Sequence, residues 1–338
     1  MASEFVLDAI TRHQMWLQQF AAGQSDDIKP YLKSVDKLVR EELSKYDVIT
    51  YKKDLKEINK RLKAEISALY LAYVTGLSES LEEMINDEVA FTEETMEQDG
   101  WDIGALDVAL FALGLASTVQ TGAKGQSVVV GVWLNQFPQQ QTDLILNAIQ
   151  TGYQNGTSTR DIIRTIRGTR QFNFRDGLLQ QTNNSADRMA RTLTNFYSNE
   201  ARMAVYEQID GLEFWEFVAV LDNRTSKVCM FNDGKVWPLG QGRLPPLHMN
   251  CRSMALPWSE GDQSTSELTG YEWLKRQPES VQNDVLGVTQ AELFRNGGLS
   301  ADEFRRLVST SMGKPLTLEE IRRKNPQAWE RAGLDDEQ

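Results

Sequence analysis

Cys229, His248 and Cys251 are the residues best suited to chemistry, because thiols and imidazoles are scarce elsewhere in the chain. There are 2 cysteines and 2 histidines in 338 residues. The arrangement Cys-x18-His-x2-Cys offers three ligands of the types zinc takes. A structural zinc site closes with four, and Asp222 or Asp233 are the candidates for the fourth. The same residues admit a Cys229–Cys251 disulfide, which would close a loop of about 23 residues and restrict the unfolded chain by about 3 kcal/mol. They also admit two packed free thiols, which behave as small hydrophobes. A Cys–His nucleophile and base is a further reading. His248 and Cys251, however, stand three apart in a segment opened by Pro245-Pro246, where both suit a tight local fold. No catalytic residue is assigned. The other histidine, His13, falls on the apolar side of a helical pattern, and neither histidine neighbours a nucleophile elbow.

The residues around this trio read as turns. Asp222 and Thr225 carry side chains that accept local backbone N–H bonds. Asp233-Gly234 is a turn or hairpin signal between Met230-Phe231 and Val236-Trp237. Arg252 is placed to bind backbone carbonyls or a carboxylate such as Asp222. An aromatic and β-branched run, residues 212–221, reads as the strand that delivers the chain into this stretch.

The order Asp222, Thr225, Cys229, Asp233-Gly234, Pro245-Pro246, His248, Asn250-Cys251-Arg252 resembles the signature of the phage Mu F-like minor head proteins, or phage head morphogenesis proteins. Residues 186–192 (ADRMART) are similar to the helix that precedes the signature in that family, and the resemblance runs over roughly 150–308. Many relatives carry two further cysteines, in places that hold Ser226 and Ser253 here, which argues against a four-ligand metal site. The resemblance implies a structural role rather than catalysis. The implied protein is a minor capsid component of the virion, made in the host cytoplasm and held at the portal vertex, which supports head assembly, DNA packaging or DNA delivery. It implies the portal protein of the same phage as partner, with the major capsid or scaffolding protein as others. No cofactor is expected, zinc at Cys229, His248 and Cys251 being the one candidate. An ejected protein that rearranges or contacts membrane on delivery, with 100–137 as its mobile part, is the alternative. Some relatives carry an enzymatic domain after the signature, and the roughly thirty residues left here are too few to expect one.

The elements that must position the signature are mostly helical. Apolar residues recur at steps of three and four through Val6–Phe20, Leu32–Leu43 and, best defined, Leu55, Ile58, Leu62, Ile66, Leu69 and Tyr73, continuing past Gly76 to Val89. Single stripes of this kind are stable only when packed together, so hairpins or a bundle are expected. A Gly/Ala-rich segment with a β-branched run, Val128 to Val132, follows and reads as a buried helix and a loop; helix resumes over 143–166, with Ser158-x-x-Asp161 resembling a helix start within it. After the signature, Thr289-x-x-Glu292, Ser300-x-x-Glu303 and Thr317-x-x-Glu320 have the spacing of capping boxes. The expectation is a mainly α protein with a small C-terminal α+β domain: helical 1–99, central helical 100–210, the Mu F-like domain 211–310, and a C-terminal helix and tail 311–338.

Composition narrows the partners. The chain is 41% hydrophobic and 25% charged, as in an ordinary soluble domain, with a net charge of −12 that opposes nonspecific binding to nucleic acid or anionic membrane. There is no signal peptide pattern, and no run long enough to span a bilayer; 105–116 is the nearest and contains Asp107. Against the acidic background, Arg160, Arg164, Arg167, Arg170, Arg175, Arg188, Arg191 and Arg202 face only Asp161, Asp176, Asp187 and Glu200. Arg160, Arg164, Arg167, Arg170 and Arg175 are therefore candidates for contact with viral DNA or with the portal; a solvated face balanced by acids elsewhere is the other reading.

Overall fold

The computed structural model describes residues 4–104, 117–122, 126–220, 225–260, 274–300, 303–304 and 316–334. The first hundred residues form α1 (Glu4–Asp26), α2 (Lys29–Leu43) and α3 (Lys52–Gln98). At 1.5 Å per residue, the 47 residues of α3 make a rod about 70 Å long. Its apolar stripe, from Leu55 through Ile66, Leu77 and Ile85 to Met96, is buried along the whole length. The periodicity had marked those positions as far as Val89, and Gly76 does not interrupt them.

A hairpin, β1 (Thr118–Gly122) and β2 (Gln126–Val129), leads into α4 (Val130–Gln154), then α5 (Thr159–Arg167) and α6 (Leu178–Tyr206). The start of α4 corrects the sequence reading. Helix begins at Val130 rather than near residue 143, so the β-branched run divides between β2 and the first turn of α4. The helix also runs through Pro138. A proline there forfeits one backbone hydrogen bond. Burial of Leu134, Phe137, Ile145 and Ile149 outweighs that loss; Phe137 meets the rings of Tyr70 and Tyr73 from α3. Ser158 caps α5 as its spacing indicated, accepting the Asp161 N–H at 3.2 Å. The helices of 1–99 and of 100–210 share one apolar core, from Leu17 to Val205.

The C-terminal region holds a three-stranded antiparallel sheet in the order β4-β3-β5, made of β3 (Phe214–Val218), β4 (Lys235–Pro238) and β5 (Met254–Trp258). The one-turn helix α7 (Lys227–Met230) stands where the sequence suggested the first arm of a hairpin. Asp233-Gly234 is therefore a turn from α7 into β4, with Gly234 at φ 73°, and β4 pairs with β3 instead. Among the described residues, four short helices follow: α8 (Glu279–Leu286), α9 (Val288–Asn296), α10 (Leu318–Lys324) and α11 (Pro326–Arg331). Thr317 and Glu320 make a complete capping box, and Ser300 and Glu303 make the same reciprocal bonds. Thr289 does not cap; α9 begins one residue earlier, after Gly287. These helices have their own core of Leu293, Phe294, Phe304, Ile321 and Trp329, joined by Met230 and Phe231. No helix among the described residues is long and apolar enough to cross a membrane.

Candidate functional site

Helix α6 supports the signature. Its polar residues Thr192, Asn195 and Asn199 are buried and bind the returning chain. Asn195 Nδ2 donates to the Ser253 carbonyl at 2.9 Å, the Ala255 N–H donates to Asn199 Oδ1 at 2.8 Å, and the Asn250 N–H donates to Thr192 Oγ1 at 3.0 Å. On the other side, the Ala219 N–H donates to Asp233 Oδ1 at 2.8 Å, the Gly234 N–H to the Phe217 carbonyl at 2.8 Å, and Thr225 Oγ1 to the Val220 carbonyl. The signature residues Thr225, Asp233 and Gly234 thus tie the loop to the end of β3. Pro246 is buried and joined to Pro245 by a cis peptide, and the Arg252 carbonyl accepts a 3.4 Å bond from Gln14 of α1. Asp222 lies outside the described residues, as does the run 105–116.

This frame brings the three sequence-predicted ligands together. Cys229 comes from α7, where the Ser226 hydroxyl caps its N–H; His248 and Cys251 come from the turn after Pro246. Cys229 Sγ lies 3.2 Å from His248 Nε2 and 3.5 Å from Cys251 Sγ, and the three donor atoms all fall within 4.8 Å of one another. Both sulfurs are buried free thiols. His248 Nδ1 donates to the Met249 carbonyl at 2.7 Å, which turns Nε2 toward the sulfurs.

Charge in this pocket is uneven. Burial alone would push Cys251 up, but hydrogen bonds from Cys229 and His248, and the imidazole's charge, outweigh it and hold the thiol well below its usual range. Cys229 moves the opposite way, raised by its hydrogen bond to Cys251 and then by burial. For His248, burial opposes the cationic form, yet contact with Cys251 and the Met249 carbonyl prevails and raises it. Two buried sulfurs and one oriented imidazole form a soft donor set of the kinds zinc takes, offering three protein ligands. The adjoining cleft, lined by Ser226, Ser253 and Asn250, measures about 10 Å³. That is room for one water, not for an acyl substrate beside a nucleophilic thiol.

The predicted arginines divide. Arg160, Arg164 and Arg167 stand at i, i+4 and i+7 on the outer face of α5, and Arg170 and Arg175 lie in the loop between α5 and α6. Arg164 pairs with Asp161 at 2.9 Å and Arg167 reaches Asp36 at 3.7 Å. No ion pair engages Arg160, Arg170 or Arg175 among the described residues. Arg202, grouped with them by sequence, does not belong to that surface. It is fully buried, its Nε 2.5 Å from Glu88 Oε1, while His13 Nε2 lies 2.7 Å from Glu88 Oε2.

The loop carrying Arg170 and Arg175 is tightly built. Asp176 accepts from the Thr169 N–H and hydroxyl, both at 2.8 Å, and these bonds draw its carboxyl below the usual range. Asn173 and Phe174 are both left-handed, at φ 50° and 61°, a conformation that costs roughly 1–2 kcal/mol per non-glycine residue. At Gly177 a Cβ would lie 2.4 Å from the Arg167 carbonyl carbon. The Arg167 guanidinium covers the Phe174 ring at 4.8 Å, and Phe172 projects outward, 56% exposed.

Sequence reasoning missed a second recess, of about 220 Å³, at the far end of α6. Glu200, Met203 and Glu207 line it with Trp215, Leu244 and the Gly240-Gln241-Gly242 turn. Its only signal was two glutamates seven apart on one helix.

Residues 143–256 match the family described as Phage Mu protein F like protein. No curated protein and no solved structure matches the chain. The matched span runs from the middle of α4 to β5, and so takes in α5, the arginine loop, α6 and the whole Cys–His–Cys turn. Over that span, about a third of the chain, the sequence is similar to the phage Mu F-like proteins.

Proposed function

We propose that this chain is a minor head protein that docks at the portal vertex of a tailed phage and supports head assembly and the packaging or delivery of DNA. The observation that carries the reading is the match over 143–256, centred on α6. The Cys–His–Cys turn serves as a clamp that holds the sheet against α6, with zinc as the ion its donors would take. The outer arginines of α5 and its loop give an acidic chain one cationic face, suited to phosphate or to carboxylates of the portal. Co-expression with the portal protein of the same phage is the test. Co-purification, and presence of the chain in virions, are expected; absence of both refutes the portal-vertex reading. Changing Arg164, Arg167 and Arg170 to Glu should weaken binding to duplex DNA or portal in a salt-dependent way.

A further inference from the structure

The arginine loop has the form of a plug. Arg170 and Arg175 flank the exposed ring of Phe172, and residues 158–177 carry 5 arginines against 2 aspartates. Glycines with no room for a Cβ, the Asp176 clamp and the Arg167–Phe174 stack hold its shape in advance, so little entropy is lost on binding. An aromatic ring between arginines is the composition of a protein–protein anchor. Phosphates alone would give the ring nothing to enter. Its complement is an apolar socket with an acidic rim.

The chain itself contains such a socket. The recess at the far end of α6 has Met203, Trp215 and Leu244 as apolar walls and Glu200 and Glu207 at its rim. Its volume of about 220 Å³ exceeds the roughly 150 Å³ of an apolar cavity that takes up benzene. Neither glutamate has an ion-pair partner among the described residues. Burial, and then the charge of Glu207, raise the Glu200 carboxyl, an unfavourable state that an entering guanidinium relieves. Arg243, which follows the Gly240-Gln241-Gly242 turn, donates to Gln120. The plug precedes the first turn of α6 and the socket lies on its last turns, about 35–45 Å apart along one helix. A plug therefore cannot reach its own socket.

We infer that the Arg170–Phe172–Arg175 loop of one copy inserts into the Glu200/Glu207 recess of a second copy, making a head-to-tail contact between copies of this chain. A heterologous contact of this kind builds rings or arcs, whereas a two-fold interface would stop at a dimer. The inference stands apart from the portal reading, since it concerns the isolated chain.

Sedimentation velocity of the full chain, over a concentration series reaching about 100 µM at low salt, gives the test. Mass should rise with concentration and fall with added salt. Phe172→Ala should weaken association at least about tenfold. The loop reversal R170E/R175E and the socket reversal E200R/E207R should each leave folded monomers, as judged by circular dichroism. Mixed together, these two variants should associate again, because each plug then meets an opposite socket. A wild-type chain that stays monomeric overturns the inference, even where the loop reversal lowers DNA binding. So does association indifferent to Phe172→Ala, or failure of the two folded variants to combine.

Discussion

The buried pair Glu88–Arg202 joins α3 to α6, and its disruption makes a quantitative forecast. Both side chains are sealed from solvent, at 1% and 0% exposure. Their partners are unequal. Among the described residues, Glu88 also has His13 at 2.7 Å, whereas Arg202 has only the Gln14 Oε1 at 3.2 Å besides, and one of its terminal nitrogens finds no partner. Removing one member of such a pair costs about 3–5 kcal/mol, because the survivor is left charged in an apolar setting. Glu88→Leu strands the less satisfied ion and should fall near the upper figure; Arg202→Met leaves Glu88 with His13 and should fall near the lower. The double variant Glu88→Leu/Arg202→Met removes both charges and keeps the volume, so it should cost far less than the sum and come close to neutral. Urea unfolding followed by circular dichroism measures all four proteins, with the slope checked for constancy. Additive losses, or an Arg202→Met cost below about 1 kcal/mol, would refute the view that the pair acts as a unit.

Two further predictions concern the turns. Elemental analysis of protein purified without chelator should return one zinc per chain, and Cys251→Ser should abolish it; metal-free protein with two titratable thiols would remove the ion and leave a packed Cys229–Cys251 pair. Asp176→Asn should loosen the arginine loop, seen as faster amide exchange over 168–177. The wild-type loop should loosen likewise in acid. The folded Asp176 pKa lies below its ordinary 3.8, so its contribution is present above that value and is lost as pH falls through the depressed one. Equal exchange in both proteins would show that the glycines alone hold the loop.

What the sequence disclosed is what short-range chemistry decides. Ser158, Ser300 and Thr317 cap as their spacing required, and the stripe from Leu55 to Tyr73 is buried as its period required. The misreadings arose where packing overrides local preference. Val130 and Val132 are good strand residues and Gly131 and Pro138 are poor helix residues, yet α4 takes in all four because Phe137, Ile145 and Ile149 gain a core against α3. Thr289 had the capping spacing but sits inside α9, which starts directly after the left-handed Gly287. The Cys–His–Cys cluster was legible because its members are close in sequence. Glu88 and Arg202 are 114 residues apart, and nothing in either neighbourhood announces the other.

Helix α6 explains why the family match and the first hundred residues belong in one structural account. Few soluble helices are buried nearly all round, and α6 is buried through most of its length, polar residues included. Its Leu193 and Ala190 side belongs to the core shared with α1, α3 and α4, while Asn195 and Asn199 hold the strand that follows Cys251. A helix with an apolar stripe on one side and a buried amide ladder on the other needs both neighbours at once, since buried amides without partners are costly. The matched span 143–256 supplies the amide ladder's partner but not α1 and α3. The signature turn is therefore one wall around α6, and the N-terminal helices are the opposite wall rather than an appendage. Any force or ligand applied at the arginine loop acts on the first turn of that same helix, and so reaches the sheet through a single rigid element.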